Sequence, residues 1–223
     1  QAHHLGTVLR QGAGAALRLF NGRDGEWAAR LAGIRRDRAS VVVEAPIRQQ
    51  APDSDLWLVF APLKRDATDL VVEKATELGV AALLPVFTAR TNTARLNLDR
   101  LRAIAIAAAE QSERLTVPRM ADPQRLSELL AGWPDGRRLV AALERRDAAP
   151  PMPAATPSAL LIGPEGGFAP EETEILRRHK AVEIVTLGPL VLRAETATIA
   201  GLALLQPALR GYVATAARRP AAD

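Results

Sequence analysis

The chain has 223 residues, enough for one large or two small domains with a real core, and a modest net charge of +4. Hydrophobic residues make up 48% of it, but many are alanine, and no apolar run reaches membrane-spanning length. Cysteine is absent, which excludes disulfides, thiolate metal sites and a cysteine nucleophile; the three histidines show no metal-ligand spacing. The chain reads as a soluble, cytoplasmic protein without a secretory signal, and a first residue of Gln1 rather than Met points to a truncated N-terminus.

Of 29 basic residues only Lys64, Lys74 and Lys180 are lysine. Two readings stand side by side: the codon usage of a GC-rich genome, or an anionic partner, since guanidinium forks match phosphate geometry.

Residues 1–10 read as a short helix. "ALRLFNGRDGEWAARLAGI" alternates apolar and polar residues around a Gly/Asn/Asp turn, which predicts a hairpin, and "ASVVVEAPI" adds a strand. This β-rich unit ends at a polar linker, "RQQAPDS". From Asp55 the pattern changes. "DLWLVFAPL" predicts a buried strand, and "DATDLVVEKATELG" a helix with Asp66 as its cap and Gly79 as its stop. The strand "VAALLPVF" and the helix "LDRLRAIAIAAAEQSERL" follow. Next come a short helix near "QRLSELLAGW", the strand "RRLVAAL" and a proline-rich loop. The strand "SALLI", the helix "PEETEILRRHK", the strand "VEIVTLG" and a last helix from about Glu195 to Leu209 complete the chain. Apolar strands alternating with helices predict a parallel sheet covered on both faces.

Two stretches carry chemistry. In "LIGPEGGFAPEE", Gly163, Pro164, Glu165, Gly166 and Gly167 crowd a strand-to-helix turn. That density exceeds what a plain β–α connection needs and lets a ligand touch the main chain. Neither a P-loop nor a dinucleotide fingerprint is present. In "LGPLVLRAETATIAGLALLQ", Arg193 and Glu195 stand where a strand gives way to a helix, at the ligand-binding end of an open α/β sheet. An ion pair capping that helix is the plain alternative. The helix has almost no polar face and so is buried, within its own subunit or against another. Lys74, Glu77, Glu110, Gln111 and Arg114 are polar residues on otherwise apolar helices.

"KATELGV", "AAAEQSERLTVP", "LLIGPEGGFAPEE" and "LGPLVLRAETATIA" together resemble the RsmE family in order and spacing, over about His3 to Tyr212. Its members are SPOUT-class methyltransferases that methylate N3 of a uridine in small-subunit (16S) ribosomal RNA. The resemblance implies an α/β fold: a SPOUT-type knotted parallel-sheet domain over 55–215, with a C-terminal trefoil knot. A small PUA-like β-barrel, an RNA-binding domain, would precede it over 1–50 and lack the family's first strand. It implies S-adenosyl-L-methionine as cofactor, ribosomal RNA or the small ribosomal subunit as partner, and a homodimer formed beside the last helix. Leu143 and Glu144, Gly163 to Gly167, and Leu187, Gly188, Leu190 and Leu192 would form the cofactor loops. Arg193 would stabilise charge on the uracil carbonyls, with Glu195 or a water as proton acceptor. Arg10, Arg18, Lys64, Arg65, Arg90 and Arg114 are the RNA-contact candidates. No metal is expected. The chain departs from the family pattern at Leu190, usually basic, and at Ala194, usually threonine. The competing functions are a SPOUT enzyme with another RNA target and a non-catalytic RNA-binding assembly protein.

Overall fold

The computed structural model describes residues 12–35, 38–51, 54–93, 95–143 and 157–206. The expected helix over 1–10, with Arg10, lies outside them, as does Glu144. The chain divides into two compact units, Gln1–Pro52 and Asp53–Asp223.

The first unit carries a three-stranded antiparallel sheet of β1 (Ala16–Phe20), β2 (Glu26–Arg35) and β3 (Arg38–Arg48) in that order. The hairpin closes at Asn21, whose side-chain oxygen accepts the Arg23 and Asp24 amides at 2.9 Å each. This is how asparagine initiates a turn. Among the described residues of this unit, Ala29 and Leu31 on β2 are the buried apolar ones.

The second unit is a parallel sheet with helices on both faces. Its elements are β4 (Leu56–Phe60), α1 (Arg65–Glu77), β5 (Ala82–Phe87), α2 (Leu98–Gln111), β6 (Arg119–Met120), β7 (Gln124–Arg125), α3 (Leu126–Ala131), β8 (Arg138–Ala142), β9 (Ser158–Ile162), α4 (Pro170–Arg178), β10 (Val182–Val185) and α5 (Ala194–Leu205). The strand order is β10-β8-β9-β4-β5-β6, and β7 pairs with the far end of β5. The period of two sorts each strand between two cores. Leu56, Leu58, Phe60, Leu160 and Ile162 face one core, shared with α1, α2 and α5. Val59, Ala159 and Leu161 face the other, shared with α3 and α4. Each large aliphatic side chain buried this way stabilises the fold by about 1.5–3 kcal/mol.

Several boundaries differ from the sequence reading. Asp66 does not cap α1. Lys64 occupies the cap position, and the Thr68 hydroxyl accepts the Leu63 amide at 2.9 Å and donates back to the Leu63 carbonyl at 3.0 Å. Asp66 sits in the first turn, where its charge still suits the helix dipole. The strands β6 and β7 are two residues each, too short for any periodic signal. β10 stops at Val185, before Thr186-Leu187-Gly188. The last helix begins at Ala194 and its described part ends at Leu205.

Gly201 explains how α5 docks. A Cβ there would stand 2.7 Å from Leu160 Cδ2, so the helix backbone lies directly on β9. The outer side of α5 leaves Ile199 and Leu204 exposed. Among the described residues no helix is long and apolar enough to cross a membrane.

Candidate active site

Because β10, β8 and β9 are parallel neighbours, the segments that leave their C-terminal ends converge. Leu143 follows β8, Gly163–Phe168 follow β9, and Val191–Ala194 lead into α5. Together they enclose a cavity of about 410 Å³, with Ile162 and Ala142 from the strand ends, Thr173 from α4, Ala197 from α5 and Arg90 from the loop after β5. Leu187, Gly188 and Leu190 line a smaller adjoining hollow of about 40 Å³, which shares Ala142, Leu143, Leu192 and Ala197 with the main one. Leu190, one of the two departures from the family pattern, is 77% exposed.

The glycines divide by task. Gly167 (φ 67°) and Gly188 (φ 121°) hold left-handed backbone, which side chains disfavour. Gly163 is small for an internal reason: a Cβ would press 2.9 Å from the Phe168 ring. Gly166 has neither constraint. A Cβ there would meet only the Arg90 stem, at 3.5 Å. The backbone turns tightly here, with the Gly167 amide donating to the Pro164 carbonyl at 2.8 Å. Among the described residues the Glu165 and Gly166 amides meet no acceptor.

The loop after β5 braces this turn. Arg90 Nη1 donates to the Gly166 carbonyl at 2.8 Å. Glu172, in the first turn of α4, accepts the Ala89 amide at 2.8 Å and the Ala169 amide at 2.9 Å. Pro170 opens the same helix at a position where its missing N–H costs nothing.

Arg193 lines the cavity from the cap position of α5, with extended backbone. Glu195 sits in the first turn of that helix and does not line the cavity. Neither side chain has an ion-pair or hydrogen-bond partner among the described residues, so the expected alternative of a local Arg193–Glu195 pair is not formed.

Of the basic candidates, Arg18 is exposed on β1 and lies 3.6 Å from Glu26. Lys64 and Arg65 are exposed after β4, at the same end of the sheet as the cavity. Arg114, also read in the sequence as an RNA contact, is engaged within the chain. Its Nη atoms donate to the Thr76 carbonyl at 3.0 Å and the Val80 carbonyl at 2.7 Å, and Nε donates to Thr116 at 3.0 Å. It fastens the end of α1 to α2. Phe168, Thr173 and Ala197 are cavity residues that sequence reasoning missed. Phe168 was within reach, since it directly follows the glycines.

The comparisons with known proteins agree with this geometry. A family model described as an RNA methyltransferase domain matches residues 49–206, and one described as an RNA methyltransferase PUA domain matches 1–44. The chain is 33% identical to the ribosomal RNA small subunit methyltransferase E of Rickettsia conorii, over 90% of this chain and 84% of that one. Its counterpart in Mycobacterium bovis is also 33% identical, over 91% and 82%. The crystal structure of a ribosomal RNA small subunit methyltransferase E from Neisseria gonorrhoeae bound to S-adenosyl methionine superposes with a TM-score of 0.81. It is 29% identical and covers 91% of this chain and 86% of its own. Matched along nearly its whole length, with the glycine turn and the Arg193 segment meeting in one cavity, the chain belongs to the ribosomal RNA small subunit methyltransferase E (RsmE) family.

Proposed function

We propose that this chain transfers a methyl group from S-adenosyl-L-methionine to N3 of a uridine in small-subunit ribosomal RNA. The observation that carries the reading is the convergence of three strand-end loops on one cavity that holds Arg193. The cavity suits the cofactor. Ile162, Leu143, Leu192 and Ala197 offer apolar surface, and the Glu165 and Gly166 amides offer donors. Nothing inside the chain requires Gly166 to lack a side chain, which fits a ligand passing close to it.

The bound cofactor supplies an electrophilic methyl group on a sulfonium. The chain's residues supply the rest. Arg193 stands at the cavity wall, where a guanidinium stabilises negative charge spreading onto uracil O2 and O4 as N3 loses its proton. The proton passes to Glu195 or to a water, and the new N3–CH₃ bond replaces the cofactor's S–CH₃ bond. No covalent adduct is needed, in keeping with a chain that lacks cysteine. Bringing N3 and the methyl carbon into line is then mainly a matter of orientation. In this reading residues 1–50 form the PUA-like RNA-binding domain and 55–215 the catalytic domain with its trefoil knot. Arg18, Lys64, Arg65 and Arg90 position the RNA backbone.

The same reading makes the protein a cytoplasmic homodimer. Its support is the apolar surface around α5, with Val191 49%, Ile199 37% and Leu204 36% exposed beside Leu190. A stable interface there buries roughly 2,000 Å² or more in total. Gly201 is a poor probe of it, because its substitution first disturbs Leu160 in the same subunit. Leu204→Arg is the clean test: light scattering should find monomers while the fold, followed by circular dichroism, is kept. A dimer unaffected by this change places the interface elsewhere.

The activity is tested with small ribosomal subunits from a strain lacking this enzyme and S-adenosylmethionine labelled in its methyl group. Label should enter one uridine, and mass spectrometry of the nucleoside should place it on N3. Label on another base or on a ribose hydroxyl, or no transfer at all, counts against the reading.

A further inference from the structure

A second cavity opens at the same end of the sheet. It encloses about 340 Å³ and is lined by Phe87, Thr88, Ala89, Arg125, Leu126, Ser127, Glu172 and Ile175. The loop from Thr88 to Thr91 and the first turn of α4 border both cavities, with Thr173 on the cofactor side and Glu172 on the other. Arg90 lines one side of that wall, and Thr88 and Ala89 line the other.

The wall is held firmly. Thr91 accepts the Thr88 amide on its hydroxyl at 3.0 Å, Glu172 takes the Ala89 amide, and Arg90 grips the Gly166 carbonyl. An occupant of the second cavity would therefore sit at a fixed offset from the methyl donor.

The lining has the chemistry of a nucleotide site. Phe87 ends β5 as a half-buried aromatic ring, and Arg125 stands opposite it in register on β7. The Arg125 guanidinium has no partner among the described residues, and neither has the Ser127 hydroxyl. Glu172 spends one lone pair of each oxygen on backbone amides and keeps the others. That leaves an aromatic face, a free cation, a hydroxyl and a carboxylate acceptor around one opening. Single-stranded RNA is recognised in this way, with bases stacked on aromatic rings and read along their edges.

We infer that this cavity is a subsite for a nucleotide flanking the methylated uridine. Its base stacks on Phe87 and offers an exocyclic amino group to Glu172, while a phosphate meets Arg125. Adenosine, guanosine and cytidine carry that amino group; uridine does not. The inference rests on the RNA-methyltransferase reading. It adds a reason why one uridine is chosen, because the enzyme must hold the strand on both sides of a base it draws out of the stack.

Two variants test it, both at exposed positions outside the cofactor cavity. Arg125→Ala removes the cation, and Ser127→Tyr fills the opening. Methyl transfer to hypomethylated small subunits should show KM for the RNA substrate raised about tenfold or more in each. The affinity for S-adenosylmethionine by calorimetry should stay unchanged. Arg125→Ala should also lower the salt dependence of RNA binding by about one phosphate contact. Replacing flanking nucleotides by uridine, one at a time, should reveal a position that slows the wild type but not Ser127→Tyr. If the wild type is active and both variants keep its KM and its flanking preference, the subsite is wrong while the function stands. If the wild type binds the cofactor yet methylates no RNA, the function and the subsite fail together.

Discussion

The two ends of the parallel sheet are built from the same strands and treat polar groups in opposite ways. At the N-terminal end charges are matched. Arg137 lies 3.6 Å over the Trp57 ring and binds both Asp55 carboxylate oxygens at 2.7 and 2.8 Å. Trp57 meets Trp133 edge to face at 6.2 Å, Arg138 holds Glu183 at 2.5 Å, and Lys180 holds Asp135 at 2.8 Å. At the C-terminal end Arg193, Glu195, Glu165 and Arg125 have no such partners among the described residues. The larger hollow is at the matched end, about 660 Å³ against about 410 Å³. Cavity size and unspent hydrogen-bonding capacity therefore point to opposite ends, and the proposed site lies at the end with the unspent capacity.

Substitutions at the two ends should fail differently. The largest effect belongs to Gly166→Val. Its Cβ is tolerated by the chain, so the melting temperature should hold while calorimetry finds cofactor binding lost. Undiminished binding would remove the glycine turn from the site. Next comes Arg193→Ala, which should lower turnover by ~100-fold or more with little change in cofactor affinity. A collapse of affinity with a normal single-turnover rate would make Arg193 a binding residue. At the opposite end Arg137→Ala should cost about 2–3 kcal/mol in urea unfolding, because it removes charged hydrogen bonds and a stacked ring contact together. The activity of the folded fraction should survive, and a catalytic defect there would blur the distinction between the ends.

The smallest effect is at Lys180. Its hydrogen bond lowers the Asp135 carboxyl below its ordinary value and raises the Lys180 ammonium above its own. The Asp135 part of the stabilisation is present above that residue's unfolded pKa and is lost as pH falls through the lowered folded value. The Lys180 part is present below that residue's unfolded pKa and is lost as pH rises through the raised folded value. Both side chains are more than four-fifths exposed, so solvent screens the pair. Lys180→Ala should return the Asp135 titration to its usual range by NMR and leave the unfolding midpoint at neutral pH unchanged.

The alternation of strands and helices was legible because each strand is buried on both faces, which writes continuous apolar runs. The hairpin was legible because Asn21 and its glycines fix a turn locally. Legibility fails where partners are distant in sequence. Arg114 looks like a solvent-facing cation on a helix end, and only the fold brings the Thr76 and Val80 carbonyls to it. Gly163 lines the cavity as the sequence suggests, but its need to lack a side chain comes from the Phe168 ring packed against it, which only the fold shows. Gly201 looks like an invitation to a second helix, yet its neighbour is Leu160. The Asp66 cap failed for a local reason: a threonine two residues further on satisfies the turn instead. Of the site, the glycine turn and the Arg193 segment could be read, but the bracing by Arg90 and Glu172 could not, because it joins the loop after β5 to the loop after β9.

The placement of β4 has a consequence for the birth of the protein. One edge of β4 pairs with β5, close behind it in the chain, but the other edge pairs Leu56 with Ser158, about a hundred residues later. At ~5–20 residues per second, a ribosome takes roughly 5–20 s to make the missing neighbour. During that interval an apolar strand waits with its hydrogen-bonding edge open, the condition in which nascent chains aggregate or recruit chaperones. The sheet that carries the candidate site thus depends on the pace of the ribosome that makes it.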